Sequence, residues 1–513
     1  MSGVRLSVAC IPFTPERLTE EIKRAATIPA ADKNIAAQVS YLGIYLAHKD
    51  ICARTIVVEK PYVDRHFLEE YARYYATTLN PPNPKATRIH FFKDAITDEF
   101  FQQKLNSAAS GNYEMVCDEL TKGYLGFTVV RPLRSAPIGR TILATFPSLG
   151  SDRYYTTPPH PYKAHLCGLK ISISGVPFQQ QEQAVGACAT TAIWSALSQT
   201  MRLDGGRAPT PFAVTEAATK NWVKDRAFPA TAGLKDEQIL ESLRQFEYSP
   251  LYFEPDKEPA LFALAVKCYL RSKIPVILKM HYDCQSEAHA VALVGFREGP
   301  EDGITTPDIS YQASPSWGNI RLRSRGLCRL YVHDDRLGPY ARAVLKEDAT
   351  KFTTLRYCNN NIDFTDFDKT AIVQSAMVPL YPKIRLSAHD LIGFAAWLLP
   401  TFRNIVGPSA HDDLRIDLRF CQAGDCLTAL YKSTLAPERI VKATKHLILS
   451  RYVGLIKFMV GVTPVAYVIC DSTDIRRDNT VEAPLLAIIP FYEEYLATLK
   501  DYAKRFNAST LVV

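Results

Sequence analysis

No run of 18 apolar residues occurs in this chain, and the longest apolar stretches, such as "LIGFAAWLL" (391–399), are too short to span a bilayer. A membrane partner is therefore not expected. A strong charge of one sign is also missing: 60 basic residues face 53 acidic ones, for a net charge of +7. The densest basic stretch, "RLRSRGLCR" (321–329), holds four arginines in nine residues and reads as a solvated strand edge. A phosphate-facing strand is the alternative there. Zinc-finger spacing, a helix-turn-helix signal and an RNA-binding aromatic motif are all absent, so nucleic acid is not an expected partner.

The 12 cysteines are scattered, mostly in apolar surroundings, as at Cys52, Cys268 and Cys470. Cys421 and Cys426 are five apart, a poor match to C-x2-C spacing, and read as two free thiols near a turn. No metal and no cofactor is expected. The opening "MSGVRLSVACIPFTPERL" lacks a basic-then-apolar leader and continues into an acidic helical stretch, which predicts a cytoplasmic protein with reduced thiols. Internal repeats and low-complexity segments are also missing.

What is present is the composition of a globular protein, 47% hydrophobic and 22% charged. The length suggests two to four domains. Three are expected: an N-terminal α/β part (1–150), a central part (151–345) and a C-terminal α/β part (346–513). The segment "FPSLGSDRYYTTPPHPYKAH" (146–165) is the first linker candidate. "TPERLTEEIKRAATI" predicts a helix capped by Thr14. "ARTIVVEKPYV" predicts a strand stopped by Pro61, and "GYLGFTVVRPL" a second strand ended by Pro132. "RHFLEEYARYYATTL" has helical spacing, with Tyr71, Tyr74 and Tyr75 read as core and half-buried positions. "VAYVICD" (465–471) predicts a strand, and "PLLAIIPFYEEYLATLKDYAKRF" a closing helix with Pro490 near its start or at a kink.

Three stretches carry chemistry. In "VPFQQQEQAVGACATTAIWSAL" (176–197), Cys188 stands at the predicted start of a helix, after the small residues "VGA". A helix N-terminus favours a thiolate through its dipole and free N–H groups. Gln181, seven residues earlier, offers an amide that could donate to a developing oxyanion together with the Cys188 N–H; Gln179, Gln180 and Gln183 compete for that role. Trp194 is expected on the core face of the helix. In "IPVILKMHYDCQSEAHAVALVGFRE" (274–298), His289 opens a strand, a rigid mount for a general base, with His281 as its nearest competitor. In "CRLYVHDDRLGPYAR" (328–342) a strand ends in His333, Asp334 and Asp335, either acid able to orient an imidazole. Trp317, between base and acid, reads as a packed loop aromatic, with a roof over the cleft as the alternative. The bland alternatives are a buried structural cysteine, a strand-end histidine and an acidic turn.

Taken together, "VPFQQQ…GACATTAIWSAL", "IPVIL…HAVALVGFRE" and "YVHDD" resemble the papain-like cysteine peptidases, in the branch of the bacteriocin-processing-type enzymes. The resemblance covers roughly residues 170 to 345. It implies an α+β fold, with a nucleophile helix packed on an antiparallel sheet, and assigns Cys188 as nucleophile, His289 as base, Asp334 as orienting acid and Gln181 to the oxyanion hole. Ala189 stands where the family has Gly, His333 where it has Asn, and Asp335 where it has Pro. The flanking parts resemble uncharacterised bacterial proteins carrying such a segment. The implied protein is a bacterial cytoplasmic peptidase acting on a protein or peptide substrate, gated by its flanking parts or a regulatory protein partner, with a role in stress or antiviral defence. A binding scaffold on a dead peptidase fold and a transglutaminase-like acyltransferase are the competing classes.

Overall fold

The computed structural model describes all residues except 1–5, 33–35, 149–151, 183–186, 204, 223–232, 256–257, 283–287, 300–306, 315, 317, 348–352, 358–369, 446, 448, 474–484 and 505–513. Trp317 and Gln183 lie outside the described residues. The fold is mixed α+β, built on three main antiparallel sheets.

The N-terminal sheet is a five-stranded meander of Ser7–Pro12, Thr55–Tyr62, Ala86–Phe92, Tyr124–Val130 and Ile138–Leu143. Helix Pro15–Ala25 follows the first strand, and its Thr14 hydroxyl accepts from the Arg17 N–H, satisfying one of the free donors of the first turn. Asp64 does the same for helix Arg65–Glu70, which runs into a π-turn at Tyr71–Tyr75. The second strand does not stop at Pro61 but continues to Tyr62. A register shift between Glu59 and Tyr62 explains it, because a bulge frees Pro61 from donating to the neighbouring strand.

The central sheet contains a closed ring. Val276–Tyr282 pairs Ala288–Glu298, which pairs Leu327–Asp334, then Gly338–Glu347, Thr353–Tyr357 and Thr370–Leu380, and the last strand returns to pair Val276–Tyr282. Both strands of the "IPVIL…VALVGF" stretch are buried almost throughout, which is why they read as continuous apolar runs rather than alternating ones. The ring uses residues to Leu380, past the position-345 boundary read from the sequence. The presumed linker is also part of it: Arg153–Tyr155 adds onto the Ala288–Glu298 strand, and Tyr154 stacks on Phe296 with centroids 4.9 Å apart. Gly295 permits that approach, since a Cβ there would lie 2.5 Å from the Tyr154 carbonyl oxygen. Residues 162–173 then form a separate hairpin.

The third sheet is a four-stranded meander of Leu414–Gln422, Tyr452–Val460, Thr463–Asp471 and Leu485–Pro490. The last strand corrects the expected closing helix: "LLAIIP" is a strand with a buried inner half, and the helix begins only at Glu494. Pro490 ends the strand at the sheet edge, where a missing N–H is tolerated. "LIGFAAWLL" lies in helix Ala388–Val406, whose inner face is core. One continuous core joins the parts, from Leu18 to Leu499. Among the described residues no helix is long and apolar enough to cross a membrane.

Candidate active site

Helix Cys188–Leu203 starts at the cysteine, as its composition predicts. It is buried on all sides from Cys188 to Thr200, packed across the strand Ala288–Glu298 and flanked by helices Pro211–Thr219 and Asp236–Gln245. Trp194 is in the core, and its indole N–H donates to the Pro209 carbonyl at 3.0 Å. Small residues, Ala189, Ala192 and Ala196, let the helix approach its neighbours closely.

Strand register determines what faces the helix start. His289 pairs with Met280, while His281 pairs with Ala288, so His281 projects to the opposite face from His289. Val332 pairs with Leu293 and His333 with Ala292. Counting in twos, Asp334 shares a face with His289, and His333 does not. The two meet as diagonal neighbours: His289 Nε2 donates to Asp334 Oδ1 at 2.9 Å. Asp335 lies beyond the strand end, and its nearer oxygen is 3.7 Å from the same nitrogen. The choice the sequence left open between the two acids thus favours Asp334 as the bonded partner. His289 and Asp334 are both fully buried, and Cys188 is 9% exposed.

The Cys188 side chain lies near the imidazole and adds to the rise of its pKa. The contact is loose, because Nδ1 completes no hydrogen bond; such pairs tighten only with substrate in place. Burial alone would lower the His289 pKa. The charges of Asp334 and Asp335, the Asp334 hydrogen bond and the Cys188 contact outweigh burial and raise it well above the ordinary imidazole range. The imidazolium in turn holds the Asp334 carboxyl below its usual range against a large burial cost.

Residues that the sequence did not single out complete the arrangement. The Tyr357 hydroxyl donates to Asp334 Oδ2, and the Arg336 N–H donates to Oδ1 at 2.9 Å. Tyr282 stacks on His289 with centroids 6.4 Å apart. Nothing in "TTLRYC" marked Tyr357, whose role comes only from closure of the ring. His333, in the place where the resembled family has Asn, is a neutral imidazole; burial pushes its pKa down to about 3, and Nδ1 donates to the Pro177 carbonyl at 3.2 Å. Ser195 on the cysteine helix donates to that same carbonyl at 2.8 Å, tying the loop before Cys188 to both helix and sheet.

Three of the four site residues read from the sequence, Cys188, His289 and Asp334, therefore come together. Gln181 is half-buried in the preceding loop and makes no hydrogen bond among the described residues. Gln179 and Gln180 are buried and committed elsewhere, Gln179 to the Glu70 carboxylate and Gln180 to the Ser135 carbonyl and the Ile138 N–H. Of the three glutamines described, Gln181 alone keeps its amide available.

Among the described residues, one group carries metal-type ligands at mutual reach: His289, Asp334 and Asp335, within 4.8 Å of one another. The proton on Nε2 already bridges to Asp334, so the donor set works as a proton site. The arginines of "RLRSRGLCR" are engaged: Arg321 donates to Ser310, Arg323 to the Asp412 carbonyl, and Arg325 pairs with Glu298 at 3.6 Å, while Arg329 is buried. Cys421 and Cys426 are both free thiols, with Cys421 drawn below the usual thiol range by the neighbouring Cys426 side chain.

Compared with models of known protein families and with curated proteins, the chain matches none.

Proposed function

We propose that the protein is a cysteine-type hydrolase with a papain-like centre, cleaving a peptide or isopeptide bond of a protein substrate. The observation that carries this reading is the buried His289–Asp334 pair, bonded at 2.9 Å, on the strands packed against the helix that starts at Cys188. The Cys188 proton passes to His289 ahead of attack, giving the imidazolium, and the thiolate Sγ attacks the scissile carbonyl carbon. A carbon–sulfur bond forms, and the carbonyl electrons move onto oxygen. The Cys188 N–H, in the first turn of its helix, and the Gln181 amide stabilise that oxyanion. On collapse of the intermediate, His289 returns the proton to the departing nitrogen. Water, deprotonated by the same imidazole, then splits the thioester. Asp334 keeps the ring oriented and stabilises its cation, as Tyr357 and the Arg336 N–H stabilise Asp334. The flanking parts gate access, in a cytoplasmic setting where an open protease would be hazardous.

The test is selective alkylation. Iodoacetamide should label Cys188 at least tenfold faster than the other eleven cysteines, and His289→Ala should remove the preference. Equal labelling would sink the reading and favour a binding scaffold, which the full burial of His289 and Asp334 would also suit. Product analysis with water against an added amine separates hydrolysis from acyl transfer.

A further inference from the structure

The loop that leads to Cys188 is held by the N-terminal part of the chain. Phe178 pairs with Thr141 on the last strand of the N-terminal sheet, through hydrogen bonds of 2.8 and 2.9 Å in both directions. The Gln180 N–H continues that pairing, donating to the Ile138 carbonyl at 3.1 Å. Below the loop lies a buried ion pair, Arg131 and Glu70, each 1% exposed and 3.2 Å apart. Glu70 accepts from the Gln179 amide at 2.9 Å, and Arg131 donates to the Gln180 carbonyl at 3.1 Å. One turn past Glu70, the Tyr75 hydroxyl donates to Glu182. Gly139 leaves room for the arginine stem, since a Cβ there would lie 3.0 Å from Arg131 Cγ.

Residues 179 and 180 on one side of Gln181, and residue 182 on the other, are therefore each fixed to the N-terminal part. Gln181 is the residue between the anchors, and its amide bonds to none of the described residues. A buried ion pair is weak evidence for added stability, because desolvation offsets the attraction; fixing one geometry is its better-attested use.

We propose that Glu70 and Arg131 are positioning residues that set the Gln181 amide for oxyanion stabilisation, so that the N-terminal sheet supplies part of the site. This rests on the cysteine hydrolase reading. Neither residue touches the thiol or the imidazole, so the two halves of the chemistry should separate. Alkylation of Cys188 by iodoacetamide needs the thiol and imidazole only, whereas turnover of an activated ester such as p-nitrophenyl acetate also needs the oxyanion donor.

The experiment uses the full chain. Glu70→Ala should leave the Cys188 alkylation rate within about twofold and lower ester turnover on the order of 10²-fold, the same loss expected of Gln181→Ala. The double variant Glu70→Ala/Gln181→Ala should be no slower than Gln181→Ala alone, since both remove one contribution. Glu70→Gln keeps an acceptor for Gln179 and should recover most of the turnover; it also serves where Glu70→Ala does not fold. Parallel loss of alkylation and turnover, or additive losses in the double variant, would overturn the positioning role while leaving the cysteine hydrolase intact. Absence of selective alkylation in the unmodified protein would instead remove the hydrolase reading, and the positioning role with it.

Discussion

Asp335 is the most exposed point of the electrostatic argument, because it carries a cost with no hydrogen bond to offset it. Its carboxylate is 2% exposed and both oxygens lack a hydrogen-bond partner. Burial pushes its pKa up to about 7, with His289 opposing and Asp334 adding to the rise. The folded protein therefore holds the proton over a range where the unfolded chain, with a carboxyl pKa near ~3.9, has released it. Where the folded state binds more protons, stability falls as pH rises. Asp335 should thus cost little at pH 4 and progressively more up to about pH 7. At ~1.36 kcal/mol per pKa unit, the penalty is on the order of 1–2 kcal/mol at pH 5 and about 4 kcal/mol at pH 8. Asp335→Asn removes the titration. It also lowers the raised His289 pKa, which acts in the same direction. Urea unfolding followed by tryptophan fluorescence should show the variant gaining about 2–3 kcal/mol over the parent between pH 5 and pH 8. A constant difference, or a gain on acidification, would refute the reasoning.

Two further outcomes follow from buried partners. Tyr357→Phe removes the hydroxyl on Asp334 Oδ2 and should cost ~1.5–3 kcal/mol at pH 7; because the Asp334 carboxyl is then held less far below its usual range, the variant should lose less stability on acidification and its gap to the parent should narrow below about pH 4, as thermal melts from pH 3 to 7 will show. Lys267 and Glu298 pair at 2.7 Å with 5% of each side chain exposed, so Lys267→Met should cost ~3–5 kcal/mol in urea unfolding, and Lys267→Met/Glu298→Leu should recover most of it.

The parts of the site that were legible in the sequence are those with local signals. Cys188 begins a helix because small and helix-forming residues follow it, and His289 opens a strand because an unbroken apolar run follows it. Alternation of faces then selects Asp334 over His333, although only the pairing register shows which strand lies opposite. What was not legible depends on contacts between residues far apart in the chain. Glu70 reaches Gln179 across 109 positions, and nothing in "HFLEEYARYY" separates Glu70 from Glu69 except which side of the helix is covered. Pro61 and the "LLAIIP" strand were misread for a related reason: a proline is judged by its own missing N–H, while its tolerance is decided by the neighbouring strand. The Pro-, Ser- and Thr-rich stretch from 146 reads as a connector because its aromatics find their partners far along the chain, Phe146 at Tyr45, Tyr154 at Phe296 and Tyr155 at Tyr331 and Tyr340.

The ring closed by Thr370–Leu380 has a consequence for how this protein can be handled. A fragment ending at residue 345 would leave Val276–Tyr282 with one long edge of amide groups unpaired, and that edge would invite a second copy to add on. Expression of the middle third by itself should therefore yield aggregates, and the smallest unit worth producing has to run through Leu380 and bring the first 145 residues with it.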